Sequence, residues 1–302
     1  MNIGIIGIGT VGSAIATAIY NSGAAREIVL YDRDTPRAAA AAADLGNAAT
    51  FGAAINLRVA ATYRDMRNCD IVIIAAGANQ KSGQTRMDLR DANTNVMRDI
   101  VPKLMKFADA KKLILIVVTN PLDVMTALVQ KLSGLPENRV IGTGTMLDSA
   151  RYKMILARLF SVSPSSVDAY VLGEHGDSSV LNWESAAIGG IPLNDFARQM
   201  KNPITNSVRA SIDARVKNAG YEIMRGRGAT WDGIAAATAD LVECIANDQR
   251  RILTISTGRG SLPRIVGASG VITSLMPKMS ATEKNELKKS ERIIRKNTDC
   301  VI

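Results

Sequence analysis

The sequence predicts an α/β chain in two parts, a doubly wound parallel sheet over residues 1–142 and a mixed α/β domain over residues 143–302. Three features carry that expectation. Unbroken apolar runs recur through the first half, a glycine-rich turn follows the first of them at once, and the pattern changes near Gly142-Thr143-Gly144. The runs are Ile3-Gly4-Ile5-Ile6, Glu27 to Tyr31, Asp70 to Ile74 and Leu113 to Val118. They do not alternate apolar with polar, so both faces of the sheet should be covered. The intervals between them can hold crossover helices, and the alanine run Ala38 to Ala43 is the strongest helix former among them.

The second half reads differently. Asn182 to Phe196 mixes apolar residues around a Gly189-Gly190-Ile191-Pro192 break. Trp231 to Asn247 predicts a long helix with Ile234, Thr238, Leu241 and Ile245 on one face. Arg251 to Ile255 and Arg264 to Val266 predict strands, and Ala268-Ser269-Gly270 turns into Val271-Ile272. Ser280-Ala281-Thr282-Glu283 fits a capping box before a charged terminal helix.

Composition narrows the function classes. Hydrophobic residues make up 47% and aromatics only 4%, so Ala, Ile, Val and Leu must build most of the core. Lys and Arg exceed Asp and Glu by nine, 37 against 28. The nearest basic run, Lys288-Lys289-Ser290-Glu291-Arg292, is broken by acid and lacks aromatics, which predicts a solvated helix face and no nucleic-acid partner. The excess then favours small anions. Cys69, Cys244 and Cys300 are far apart and odd in number, so neither a metal site nor a disulfide framework is expected. No apolar run approaches the ~18 residues needed to cross a bilayer. The chain enters a strand directly at Asn2-Ile3, so a cytoplasmic protein without a membrane partner is expected.

Gly7-Ile8-Gly9-Thr10-Val11-Gly12 fits G-x-G-x-x-G and directly follows the first strand. In such a turn the first glycine bends the chain, the second admits a pyrophosphate and the third lets helix pack on strand. Gly7, Gly9, Thr10, Val11 and Gly12 are the expected cofactor contacts, with the helix N-terminus facing the phosphates. Asp32 ends the second strand, where a carboxylate meets ribose hydroxyls and disfavours a 2′-phosphate, so this Rossmann-type pattern predicts NAD. An S-adenosylmethionine site, another nucleotide or a ligand-free turn are the alternatives.

The chain has one histidine, His175, in Leu172-Gly173-Glu174-His175-Gly176-Asp177. Histidine is the side chain whose ordinary pKa lies near neutrality, and here glycines and carboxylates flank it. Three further segments stand out: Ala78 to Arg86, read as a mobile loop; Val118-Thr119-Asn120-Pro121-Leu122-Asp123, ending a strand; and Gly144 to Arg151, opening a helix. Singly, each could be a turn, a surface ion pair or a solvated charge.

Together these segments resemble the NAD-dependent L-lactate and L-malate dehydrogenase family, in order from Ile3 to about Ile272. The resemblance is most specific at Leu147-Asp148-Ser149-Ala150-Arg151 and Gly173-Glu174-His175-Gly176-Asp177. It implies that His175 is the general acid and base, that Asp148 orients it, and that Arg86 polarises the carbonyl from the loop. It further implies that Arg151 grips the substrate carboxylate and that Asn120 bonds near both carbonyl and nicotinamide. Gly77 joins the implied cofactor contacts. No metal is implied.

The loop position matched by Gln80 separates the branches: malate enzymes carry arginine there. A neutral Gln80 would leave a second carboxylate unpaired in a closed site, at a cost of several kcal/mol. Gln80 with Thr230 therefore favours the lactate branch, and pyruvate with L-lactate as substrates. Ser82, Gln84 and Asp232 depart from that branch and keep branched-chain 2-oxo acids such as 2-oxoisocaproate as an alternative, with malate third. A non-catalytic NAD-binding regulator would not need Arg86, Asp148, Arg151 and His175 together. The family implies a homodimer or homotetramer. Activation by fructose 1,6-bisphosphate is not expected, because Lys153 and Asp168 stand where activated members carry arginine and histidine.

Overall fold

The computed structural model describes residues 1–48, 51–52, 55–78 and 86–302, with side chains from residue 89 onward in the last segment. Strands β1 (Asn2–Ile6), β2 (Glu27–Tyr31), β3 (Asn56–Val59), β4 (Ile71–Ile74), β5 (Ile114–Val117) and β6 (Val140–Gly142) lie parallel in the order β3-β2-β1-β4-β5-β6. The order reverses between β1 and β4, which leaves a crevice at the carboxyl ends of those strands. Helices α1 (Thr10–Ser22), α2 (Thr35–Asn47), α3 (Arg86–Met105) and α4 (Leu122–Ser133) form the crossovers.

The apolar runs explain this arrangement. Successive side chains of one strand point to opposite faces, and both faces are buried. On one face Ile3, Ile5, Ile28, Leu30, Ile71 and Ile73 pack against Ile15 and Ile19 of α1. On the other, Val29, Val72, Ile74, Leu115 and Val117 pack against Met97 and Val101 of α3 and Leu128 of α4.

Helix α5 (Met146–Phe160) opens the second half and packs on a small antiparallel sheet of β7 (Val167–Leu172), β8 (Val180–Ile188) and β9 (Ile191–Pro192). Helices α6 (Leu193–Gln199) and α7 (Asn206–Arg227) cover that sheet, and α8 (Asp232–Ala246) follows. Strands β10 (Arg251–Ser256), β11 (Ser261–Gly267) and β12 (Gly270–Ser274) then run antiparallel and extend the main sheet beyond β6, through the pair Ser256 and Gly142. Helix α9 (Ala281–Asp299) closes the fold. Its N-terminus is the expected capping box: Ser280 Oγ accepts from the Glu283 amide at 3.2 Å, and Glu283 Oε2 accepts from the Ser280 amide at 2.6 Å.

The four apolar runs, the long helix α8 and the turn into β12 stand where the sequence placed them. Strands β3 and β6 carried no such signal. The first is an edge strand with Arg58 in it, and the second has three residues. Helix α8 does not stay with the second half. Leu241, Val242 and Ile245 join the core that α1 builds on the main sheet, so both halves of the chain share one apolar interior. Among the described residues no helix is long and apolar enough to cross a membrane.

Leu241 is fully buried in that seam. Leu241→Ala is expected to cost about 2–5 kcal/mol of unfolding free energy, read from the urea midpoint at unchanged slope. A cost below about 1 kcal/mol would mean that α8 is not part of the common core.

Candidate active site

The nucleotide end of the crevice is built from the glycine turn. Gly7 has a φ of +95°, and a Cβ there would stand 2.4 Å from the Ala76 backbone. A Cβ on Gly12 would stand 1.8 Å from the Gly7 carbonyl oxygen. At Gly9 an added Cβ meets nothing within 4 Å. Two glycines are thus required by the protein's own packing, and the middle one opens onto free space at the N-terminus of α1. No side chain caps that terminus, so its first amides face the same space.

Asp32 follows β2 directly. Its Oδ2 accepts from the Ile8 amide at 2.7 Å and its Oδ1 from the Asp34 amide at 2.9 Å. The carboxylate is therefore fixed beside the turn, where a ribose would pass. Thr10 is exposed and Val11 half-buried on the first turn of α1. Gly77 lies against the Thr119 side chain and Asn93, too close for a Cβ. These residues fit a dinucleotide: an open cradle at Gly9, helix amides aimed into it, and an anchored acid at the ribose end.

The other end of the crevice holds the histidine. Gly173 adopts a φ of +82° at the end of β7 and exchanges two backbone hydrogen bonds with Ser261. That bend turns His175 toward α5. His175 Nδ1 lies 2.7 Å from Asp148 Oδ2, and Arg151 Nη1 donates to Asp148 Oδ1 at 2.8 Å. The three side chains form one chain of contacts, with Asp148 and Arg151 a turn apart on α5. Burial opposes charge on His175 most strongly, but the Asp148 carboxylate in contact and the more distant Asp123 outweigh it. The imidazole pKa is held above its ordinary 6.5. Burial alone would raise the Asp148 carboxyl, yet His175 and Arg151 together hold it below its ordinary 3.8.

Buried hydroxyls stitch α5 to the strands behind it. Thr145 Oγ1 donates to the Val171 carbonyl, Ser149 Oγ accepts from the Val171 amide at 2.9 Å, and Ser149 and Thr254 share a hydroxyl contact. Because β7 leads straight into His175, these bonds set the distance between imidazole and Asp148. The carboxylates flanking His175 in sequence face elsewhere. Glu174 accepts from Ser178 Oγ, and Asp177 accepts from the Tyr221 hydroxyl at 3.5 Å.

Two further residues shape the site. Asn93, on α3 and almost fully buried, accepts from the Ala78 amide at 2.7 Å and donates to the Asn120 carbonyl at 2.6 Å. It ties Asn120, just past β5, to Ala78, just past β4. Asp123, in the first turn of α4, accepts from the His175 amide at 2.8 Å and from Ser256 Oγ at 2.6 Å. A single buried amide in a helix is an ordinary sequence event, so Asn93 did not stand out, and Asp123 closed a segment that did stand out but was given no role of its own. Asn120 follows β5, and its carbonyl is held by Asn93. Thr230 precedes α8, whose Gly233 lies against Leu147 of α5, so the loop borders the Asp148 turn. Asp232 is exposed and pairs with Arg227 at 2.6 Å. Gln80, Ser82 and Gln84 lie outside the described residues, as does the side chain of Arg86, whose backbone starts α3. Among the described residues, no three His, Cys, Asp or Glu are grouped to hold a metal ion.

Family models match both halves: lactate/malate dehydrogenase, NAD binding domain, over residues 1–142, and lactate/malate dehydrogenase, alpha/beta C-terminal domain, over residues 145–302. The chain is 44% identical to an L-lactate dehydrogenase of Allorhizobium ampelinum, covering 98% of this chain and 97% of that one. It is 43% identical to an L-lactate dehydrogenase of Thermus aquaticus at the same coverage. Among solved structures, a minor L-lactate dehydrogenase from Enterococcus mundtii in a ligand-bound form superposes with a TM-score of 0.93 at 34% identity, covering 100% of this chain and 98% of that one. A lactate dehydrogenase enzyme from a Medee basin deep-sea metagenome library superposes with a TM-score of 0.94 at 33% identity, covering 99% and 98%.

The glycine geometry separates two effects. Gly9→Ala should fold with an unchanged melting temperature but lose NADH affinity at least tenfold, by fluorescence titration, because the methyl enters the open cradle. Gly12→Ala should lose stability as well. Equal effects of the two would contradict the division of roles.

The dyad has a pH signature. His175, with its pKa raised on folding, adds stability that is fully present below about pH 6.5 and lost as pH rises through the folded value. Asp148, with its pKa lowered, adds stability present above about pH 3.8 and lost as pH falls through its folded value. His175→Asn should therefore cost more stability near pH 5.5 than near pH 9, read from the urea midpoints at the two pH values. An equal deficit at both pH values would remove the charge from this account.

Proposed function

The chain belongs to the lactate/malate dehydrogenase family, and from that premise we propose that it interconverts pyruvate and L-lactate. It is an NAD-dependent oxidoreductase of small 2-oxo and 2-hydroxy acids. The observation that carries the site assignment is the unbroken contact chain from Arg151 through Asp148 to His175.

In the reduction direction, bound NADH supplies the hydride for the carbonyl carbon. Gly7, Gly9, Thr10, Val11, Gly12, Asp32, Gly77 and Asn120 would hold it, with Asp32 at the ribose. The carbonyl oxygen needs a proton, and His175 carries it. With Nδ1–H directed to Asp148, the protonated ring presents Nε2–H to the substrate. Asp148 stabilises the imidazolium and keeps the neutral ring in the tautomer that can take the proton back. The guanidinium fork of Arg151 would hold the substrate carboxylate, its Nη1 being steadied by Asp148. Arg86 would approach the carbonyl from the start of α3, and Gln80 with Thr230 would leave a small neutral pocket for the methyl group.

Further parts of the same proposal are a division of labour at Gly142-Thr143, a cytoplasmic location and a homodimer or homotetramer. Tyr221 and Met224, a turn apart on α7, are exposed apolar residues that suit a protein interface.

NADH oxidation with pyruvate, oxaloacetate and 2-oxoisocaproate tests the reading. Pyruvate should have the highest kcat/KM, by at least tenfold, and His175→Ala should lose turnover by about 10³-fold or more while binding NADH normally. A preference for oxaloacetate would overturn the role of Gln80. Retained turnover in His175→Ala would overturn the acid.

A further inference from the structure

His175 is held at two points, and only one is its ring. Its main-chain amide donates to Asp123 Oδ2 at 2.8 Å, across 52 residues of sequence. Asp123 is almost fully buried, and its other oxygen accepts from Ser256 Oγ at 2.6 Å. Ser256 Oγ in turn accepts from the Gly258 amide at 3.1 Å. Both Asp123 oxygens thus face hydrogen-bond donors, the pattern of an ionised carboxylate. Three elements meet here: α4 brings the acid, the β7–β8 turn brings the amide and β10 brings the hydroxyl.

We propose that Asp123 is a positioning residue of the acid–base centre, fixing the backbone of His175 while placing a second negative charge behind the imidazole. This rests on the assignment of His175 as the acid. The physical reason is division of labour. Asp148 approaches the ring edge and must also steady Arg151, so part of its charge is shared with a cation. Among the described residues Asp123 makes no bond to the ring and no salt bridge, so its charge acts on His175 through a buried medium, shared only at longer range with Arg264.

Other charges near this corner are accounted for. Arg151 lies on α5 and opposes protonation of His175. Glu174 is adjacent in sequence and is bonded to Ser178. Behind Asp123 lies Arg264 of β11, itself buried, with Nε on Ser274 Oγ at 3.0 Å and Nη2 on Thr257 Oγ1 at 3.4 Å. Thr257 donates to Glu137 at 2.8 Å, so Arg264 and Glu137 are linked through a hydroxyl. Burial, the largest influence, holds the Asp123 carboxyl above its ordinary value, and Ser256 and the His175 amide offset only part of that. Ser256 is thereby part of the device, because its hydroxyl favours the charged form.

Asp123→Asn is nearly isosteric. Its carbonyl can accept from the His175 amide and its amide can donate to Ser256 Oγ, so the frame is retained and the charge is removed. The chain holds a single histidine, so in tag-free protein the imidazole proton resonance titrates without assignment. Asp123→Asn should lower the His175 pKa by about half a unit or more and move the alkaline limb of kcat/KM for pyruvate reduction by the same amount. NADH affinity should not change. If Asp123→Asn does not fold, Ser256→Ala should shift both readings the same way by a smaller amount, since it withdraws one donor from the carboxylate. An unchanged His175 pKa in the variant that folds would overturn the proposal. His175→Ala run in parallel separates the two ideas: turnover retained there defeats the acid assignment itself, whereas turnover lost there with no pKa shift at Asp123→Asn defeats only the proposal.

Discussion

Burial of the parallel sheet on both faces is the constraint from which the site follows. Apart from Gly4, the central residues of β1, β2, β4 and β5 are spent on one apolar layer or the other. Polar chemistry has no place along those strands and collects where they end. Gly7, Asp32, Gly77 and Asn120 each lie one to three residues past a strand terminus, on the same edge of the sheet. The reversal of strand order between β1 and β4 opens that edge into a crevice, and the antiparallel extension through β10 carries Ser256 to its far side. The glycine turn thus lies on the same edge as Asn120 and Ser256, and Ser256 reaches the histidine segment through Asp123.

The electrostatics of the far end depend on depth. An imidazole in contact with one carboxylate at the surface would gain little. Here Asp148 is buried and shared between a cation and a ring, so neither partner can lose its charge without leaving the other poorly solvated. Hydroxyls from Thr145, Ser149 and Thr254 keep the α5–β7 spacing that makes this possible. They carry no charge and do no chemistry, yet the 2.7 Å contact exists because they are satisfied in place.

Much of this was legible in the sequence wherever a local rule operates. Apolar runs with no alternation marked β1, β2, β4 and β5, a capping box marked α9, and helical periodicity marked α8. The glycine spacing identified a turn whose reasons appear only in the packing: Gly12 is needed because the Gly7 carbonyl is there, and Gly9 because nothing is. His175 stood out as the one histidine, but the joint roles of Asp148, Arg151 and His175 came through resemblance, since nothing in their spacing alone brings them together. The acids beside His175 in sequence turned out to face Ser178 and Tyr221. Asn93 escaped notice, and Asp123 was named within its segment without a role, because their partners lie in distant segments and have no sequence signature. Strands β3 and β6 escaped because pairing, not composition, makes them strands.

Helix α8 gives the molecule a property that its two-part sequence conceals. It begins beside Thr230 in the substrate half and runs into the core beside α1, the helix that opens the nucleotide turn. A fragment ending at residue 142 would keep every glycine of that turn and still lack Leu241, Val242 and Ile245 from the face where Ile15 and Ile19 pack. The nucleotide half is therefore not a portable cassette. A chimera made by joining it to a foreign partner would leave that face of α1 uncovered unless the partner supplied a helix in place of α8.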